Sequence, residues 1–136
     1  MCSMVAVTIT LEVRVYPTET IEKIACAVHN IFAIEADSLH YDPERSVLLA
    51  FLEGREHLRG LLQAFQRERV VKAAKAVLLR SLRGDTFRFF LNKQAAYSSR
   101  VSFCDPDGES PLGPIAVKIT TDVPRSLLDW LTPKNG

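Results

Sequence analysis

Eleven of the chain's seventeen lysines and arginines fall between Arg55 and Arg100, where Glu56, Glu68 and Asp85 are the only acids. That stretch carries a balance of +8 and the remainder −7, although the whole chain has a formal net charge of +1. Chemistry of this kind is the holding of anions, since lysine and arginine neutralise phosphates without forming bonds to them. A chain polarised along its length can present a positive field locally while staying near neutral overall. The tightest grouping is Arg69, Lys72, Arg80 and Arg83. On a helix from about Glu68 to Arg83 with an apolar stripe of Val70, Ala74, Val77 and Leu78, these four lie within about 80° of one another, opposite the stripe. Solvated helix faces usually mix signs, because like charges at helical spacing repel. Arg80 and Arg83 have a local reason to be there, as cations near a helix C-terminus complement the macrodipole. Arg69 and Lys72, in the first turns, have none. Arg59 and Arg67, with Gln63 and Gln66, give the preceding helix a similar flank. The competing reading is a plain solvated face.

A second polar group is Asn92-Lys93-Gln94, between two strand-like segments. A charged donor beside two amides suits phosphate, sugar and base edges. The alternative is that Asn92 and Gln94 satisfy backbone groups at a sharp corner of the sheet. Phe90 and Tyr97 have the ring faces that stack nucleobases, although Phe90, on an otherwise buried strand, reads first as second-layer core. In Ser110-Pro111-Leu112-Gly113-Pro114, Gly113 fits the position of a type II turn that needs a positive φ.

Other chemistries are poorly served. The sequence has no glycine-rich phosphate loop, no H-E-x-x-H and no nucleophile elbow. We therefore read the chain as non-enzymatic, with no cofactor and no metal; a small-molecule enzyme would need a pocket lined by Lys93, Gln94 and Tyr97. Asp37, His40 and Asp42 cluster in sequence, but no fourth ligand is usefully spaced. His29 and His57 read as edge residues of helical stripes. Cys2, Cys26 and Cys104 are odd in number and lack a C-x-x-C pair, which points to a reducing, cytoplasmic setting. The longest apolar run, Val47 to Leu52, is six residues, far short of the ~20 that cross a bilayer. No secretory signal is expected at the start of the chain.

These residues need elements to position them, and 136 residues suffice for one domain (1–136) that buries roughly two thirds of its unfolded surface. Val5 to Tyr16 alternates apolar with other residues and predicts a long strand with one buried face. Pro17 ends it, and Thr18 or Thr20 is placed to cap a helix with Ile21, Ile24, Ala25, Val28, Ile31 and Phe32 on one side. Asp37 to Ser46 reads as a loop, and Val47 to Leu52 as a strand buried on both faces. Leu58, Leu61, Leu62 and Phe65 predict a helix from Arg55 to Gln66; one bent helix or two fit the span up to Arg83, where Gly84 supplies a stop. Thr86–Asn92, Ser99–Cys104 and Ile115–Ile119 read as strands, and Arg125–Leu131 as a closing helix. Helices and strands that mix without regular alternation indicate an α+β fold, with one mixed or antiparallel sheet and helices packed on one face.

Val15-Tyr16-Pro17-Thr18-Glu19, Leu91-Asn92-Lys93-Gln94-Ala95-Ala96-Tyr97 and Glu109-Ser110-Pro111-Leu112-Gly113-Pro114-Ile115 resemble an uncharacterised, largely archaeal family of predicted RNA-binding proteins, uncharacterised protein family 0201. The resemblance implies a fold similar to that of the large-subunit ribosomal protein that holds 5S rRNA. It also implies RNA as partner and, from members of the family, a homodimer. Where the family pattern reads Gly-Asn-Thr this chain has Gly84-Asp85-Thr86, and Ser99 stands where a glycine is usual before Arg100. The acid at position 85 disfavours RNA contact at that point. Together these readings predict a non-catalytic protein that holds structured RNA through Arg59, Arg67, Arg69, Lys72, Arg80, Arg83, Asn92, Lys93 and Gln94. The rival is a homodimeric protein-interaction module in an RNA-processing assembly.

Overall fold

The alternating N-terminal segment becomes the middle of a sheet. The computed structural model describes residues 7–32, 34, 38–98, 100–104 and 114–132. Among them, β1 (Val7–Arg14) pairs antiparallel on one side with β3 (Val47–Glu53) and on the other with β5 (Pro114–Thr121). β2 (Leu39–Asp42) and β4 (Thr86–Asn92) form the edges, giving the order β2-β3-β1-β5-β4, antiparallel throughout. Because side chains alternate across a strand, Val7, Ile9, Leu11 and Val13 share one face with Leu48, Ala50 and Leu52, Ile115, Val117 and Ile119, and Phe87, Phe89 and Leu91. The helices α1 (Ile21–Phe32), α2 (Arg59–Arg67), α3 (Val71–Ser81), α4 (Lys93–Tyr97) and α5 (Pro124–Leu131) supply the other half of that core, so the fold is α+β with helices on one face.

Thr20 caps α1, its Oγ1 accepting the Lys23 amide at 3.3 Å. Gly60 lets α2 cross α1 closely: a Cβ there would sit 2.2 Å from the Ile31 carbonyl oxygen. The middle span is two helices, entered through a 3₁₀ turn at Arg55–Leu58 and broken between Arg67 and Val71. Gly84 is not the stop of α3, which ends at Ser81. It takes φ +64° in a two-residue hairpin turn closed by the Arg83–Thr86 backbone pair.

Three expectations about the sheet are corrected. Leu39–Asp42, inside the span read as loop, is an edge strand too short and too polar to show a period. Of the span read as a strand from Ser99 to Cys104, the described residues Arg100–Cys104 are not one: they make one isolated bridge, Leu91 to Phe103, along the outside of β4. There Phe103 places its ring 5.7 Å from those of Phe65 and Phe89, and the segment shields an edge that would otherwise be bare. Finally, β3 is not buried on both faces along its length: on the side away from the core Val47 is buried, but Phe51 is 63% exposed. The Ser110–Gly113 turn lies outside the described residues.

Candidate nucleic-acid interface

The junction of α2 and α3 carries Arg67, Arg69 and Lys72 within six residues. α2 ends in a Schellman turn: the Arg69 amide donates to Gln66 O at 3.2 Å and the Val70 amide to Phe65 O at 3.0 Å. Such a turn requires a left-handed residue, and Arg69 takes it at φ +59°, where glycine would be cheaper by roughly 1 kcal/mol. Arg69 and Lys72 are both exposed, and among the described residues no carboxylate lies within ion-pairing reach of either. Glu68 is partly buried between Arg67, 3.7 Å away, and Arg100, 3.5 Å away, while accepting the Val101 amide at 2.9 Å. Arg67 and Arg100 thus flank one acid that is already engaged, with Arg69 next to it in sequence and Lys72 at the start of α3. α3 begins without a side-chain cap, because Val70 precedes it, and Lys72 sits in its first turn, where the macrodipole disfavours a cation.

The single column expected on the third helix is therefore divided. Arg69 precedes α3 and Arg83 follows it, so neither is on the helix. Arg80 is exposed about 12 Å along the axis from Lys72. Arg83 turns back on the helix end, donating to the carbonyls of Arg80 and Leu82 at 3.1 and 2.9 Å. Arg59 is exposed at the start of α2, about 12 Å along that axis from Arg67.

The expectation that Lys93 reaches for phosphate is corrected. Its ammonium is fully buried, donating to Glu19 Oε1 at 3.0 Å and to the Arg14 carbonyl at 2.6 Å, 5.3 Å from the Tyr16 ring centre. Glu19 also accepts the Tyr97 hydroxyl at 2.6 Å and the Tyr16 amide at 3.0 Å. Burial works to raise the Glu19 pKa, but these hydrogen bonds and the Lys93 charge outweigh it, leaving the carboxyl below its ordinary value. Burial lowers that of Lys93 despite Glu19, and burial with Glu19 raises that of Tyr97. Two of the sequence segments behind the family resemblance are thus tied by one internal ion pair. Asn92 is likewise occupied: its Oδ1 accepts the Ala95 amide at 3.0 Å and starts α4. Gln94 is exposed on α4, away from these bonds. A cavity beside this network, ≈ 470 Å³, is lined by Thr18, Glu19, Lys23, Cys26, Ala27 and Tyr97 rather than by Lys93 and Gln94.

His40 and Asp42 lie on β2, and Asp42 is committed to the β2–β3 turn, accepting the Glu44 and Arg45 amides. Cys26 is exposed, and among the described residues neither it nor Cys104 forms a disulfide. Sequence reasoning missed Lys118. It is exposed beside Arg88 on the sheet face away from the helices, and only knowledge of strand order brings it there.

Residues 8–121 match the family model described as RNA binding. The chain is similar to a UPF0201 protein of Sulfurisphaera tokodaii, 41% identical over 94% of this chain and 88% of that one. A UPF0201 protein of Saccharolobus solfataricus is 36% identical, over 98% and 90%. Among solved structures, an uncharacterised UPF0201 protein superposes with a TM-score of 0.79 at 27% identity over 93% of this chain and 94% of that one. The UPF0201 protein of Methanococcus jannaschii gives 0.77 at 24% identity, covering 93% of each.

Proposed function

The chain belongs to the family described as RNA binding, alongside archaeal UPF0201 proteins, and on that premise we propose that it holds structured RNA by its phosphates, without catalysis, on the α2–α3 layer. Arg67, Arg69 and Lys72 form the centre of the surface, Arg59 and Arg80 extend it along the two helices, and Arg83 adds to it beyond the end of α3. The observation that carries this reading is Arg69: an exposed cation, with no acidic partner among the described residues, holds a left-handed position that glycine would fill at lower cost. Backbone strain retained at an exposed cation favours a role for the cation itself. Lys72 in the first turn of an uncapped helix supports it, because a phosphate there would take both the ammonium and the free amides. Lys93 and Asn92 have no part, being used inside the fold.

The test is retention of a labelled RNA hairpin by the full chain, measured across a salt series. Charge reversal in the Arg69→Glu/Lys72→Glu variant weakens binding and flattens the dependence of log K on log salt by about 1 unit for each phosphate no longer neutralised. An affinity and slope equal to those of the wild type would overturn the proposal.

A further inference from the structure

The side of the sheet that carries no helix is not inert. Its rows follow from the register. Arg88 stands opposite Lys118, Lys118 opposite Thr10, and Thr10 opposite Phe51; the next row runs Phe90, Ala116, Glu12 and Leu49. Directly opposed side chains in an antiparallel pair approach to about 4.5–5.5 Å at Cβ, and like charges so placed repel. Arg88 and Lys118 are both exposed, and among the described residues neither has a carboxylate within ion-pairing reach. Phe51 offers an open ring three strands away, and Phe90 lies half-buried two residues along from Arg88. Two shallow grooves meet at Phe90. One, ≈ 320 Å³, is floored by Thr10, Arg88, Ala116 and Lys118; the other, ≈ 360 Å³, is edged by Arg14 and Arg45. The acid common to both grooves, Glu12, is engaged by Arg45 at 3.2 Å.

We propose that this face is a second RNA surface, taking single-stranded RNA with bases against Phe90 and Phe51 and phosphates on Arg88, Lys118 and Arg14. It rests on the RNA-binding reading above and extends it to a different RNA form. A partner here must be anionic to relieve the Arg88–Lys118 repulsion and must present flat apolar faces to the rings. Unpaired nucleotides have both properties, and aromatic side chains on an open sheet are a general means of holding them. A duplex hides its base faces and gains nothing from the rings.

Anisotropy titrations of the full chain with a labelled oligouridylate and with a labelled RNA hairpin separate the two surfaces. Phe90→Ala and the Arg88→Glu/Lys118→Glu variant each lose about tenfold on oligouridylate while keeping hairpin affinity. Arg69→Glu/Lys72→Glu behaves in the opposite way. Both cations of the double reversal are exposed, so it serves if Phe90→Ala unfolds, with circular dichroism as the check. Wild-type oligouridylate affinity in the double reversal overturns this inference and leaves the helical surface standing; a wild-type chain that binds neither RNA overturns both. Variants that turn a dimer into a monomer on sedimentation with RNA affinity unchanged assign the face to a second copy and also overturn it.

Discussion

At the scale of single residues, buried and exposed cations do opposite jobs. Lys93 and Glu19 are both almost completely inaccessible, so each neutralises a charge the fold could not otherwise bury. Removing one partner strands the other: Lys93→Met should cost about 3–5 kcal/mol in chemical denaturation, and adding Glu19→Gln should return part of it. The pH dependence has a definite sign. Because the folded Glu19 carboxyl lies below its ordinary 4.5, its contribution is complete above 4.5 and is lost as pH falls through the folded value. A Glu19→Gln protein, less stable at neutral pH, should show a flatter stability profile across that acid limb; equal acid limbs in the two proteins would exclude this role. Arg69 is the converse case. Arg69→Gly should relieve left-handed strain and gain up to about 1 kcal/mol, while lowering the salt slope of RNA binding by about 1 unit. Thermal unfolding and hairpin titration of one variant read both effects.

At the scale of elements, local patterns were legible where one period ran undisturbed and failed where tertiary contacts made the element. The alternation from Val7 and the stripe of α1 are visible because each buries one face by itself. β2 has four residues and exists by pairing with β3, and the bridge at Phe103 exists because β4 offers an open edge; neither has a period of its own. Within the candidate site, the cations and their neighbourhood were legible as composition, whereas burial was not. Lys93 reads as a polar loop residue until Glu19, 74 positions away, is folded onto it. The break between α2 and α3 was half legible: two stripes suggested it, but one bent helix fitted as well, since the left-handed residue that makes the break is an arginine rather than a glycine. Gly60 shows how closely the helical layer is drawn together. Its missing side chain admits the backbone of α1, and backbone cannot swing aside as a side chain can. Gly60→Ala should therefore cost about 1–3 kcal/mol in equilibrium unfolding with little change in RNA affinity per folded molecule, which sets it apart from the surface variants.

At the scale of the whole molecule, charge is sorted rather than accumulated. A formal net charge of +1 gives little long-range attraction to a polyanion, so any affinity for RNA must come from where the cations stand. Two charge-matched variants test this. Lys72→Glu/Arg80→Glu and Lys23→Glu/Arg125→Glu each reverse two exposed cations, a change of −2 per residue, and bring the net charge from +1 to −3. The first pair lies on α3 and the second on α1 and α5, outside the Arg55–Arg100 segment. If overall charge governed binding, the two would lose hairpin affinity equally and at every salt concentration. If the local field governs it, the α3 pair should lose about 1 unit of salt slope for each phosphate it no longer holds. The control pair should keep the wild-type slope, with a modest loss confined to low salt, where the Debye length of about 30 Å at 0.01 M lets distant charges be felt. Parallel salt curves for the two variants would mean that the sorting of charge along this chain has no bearing on RNA.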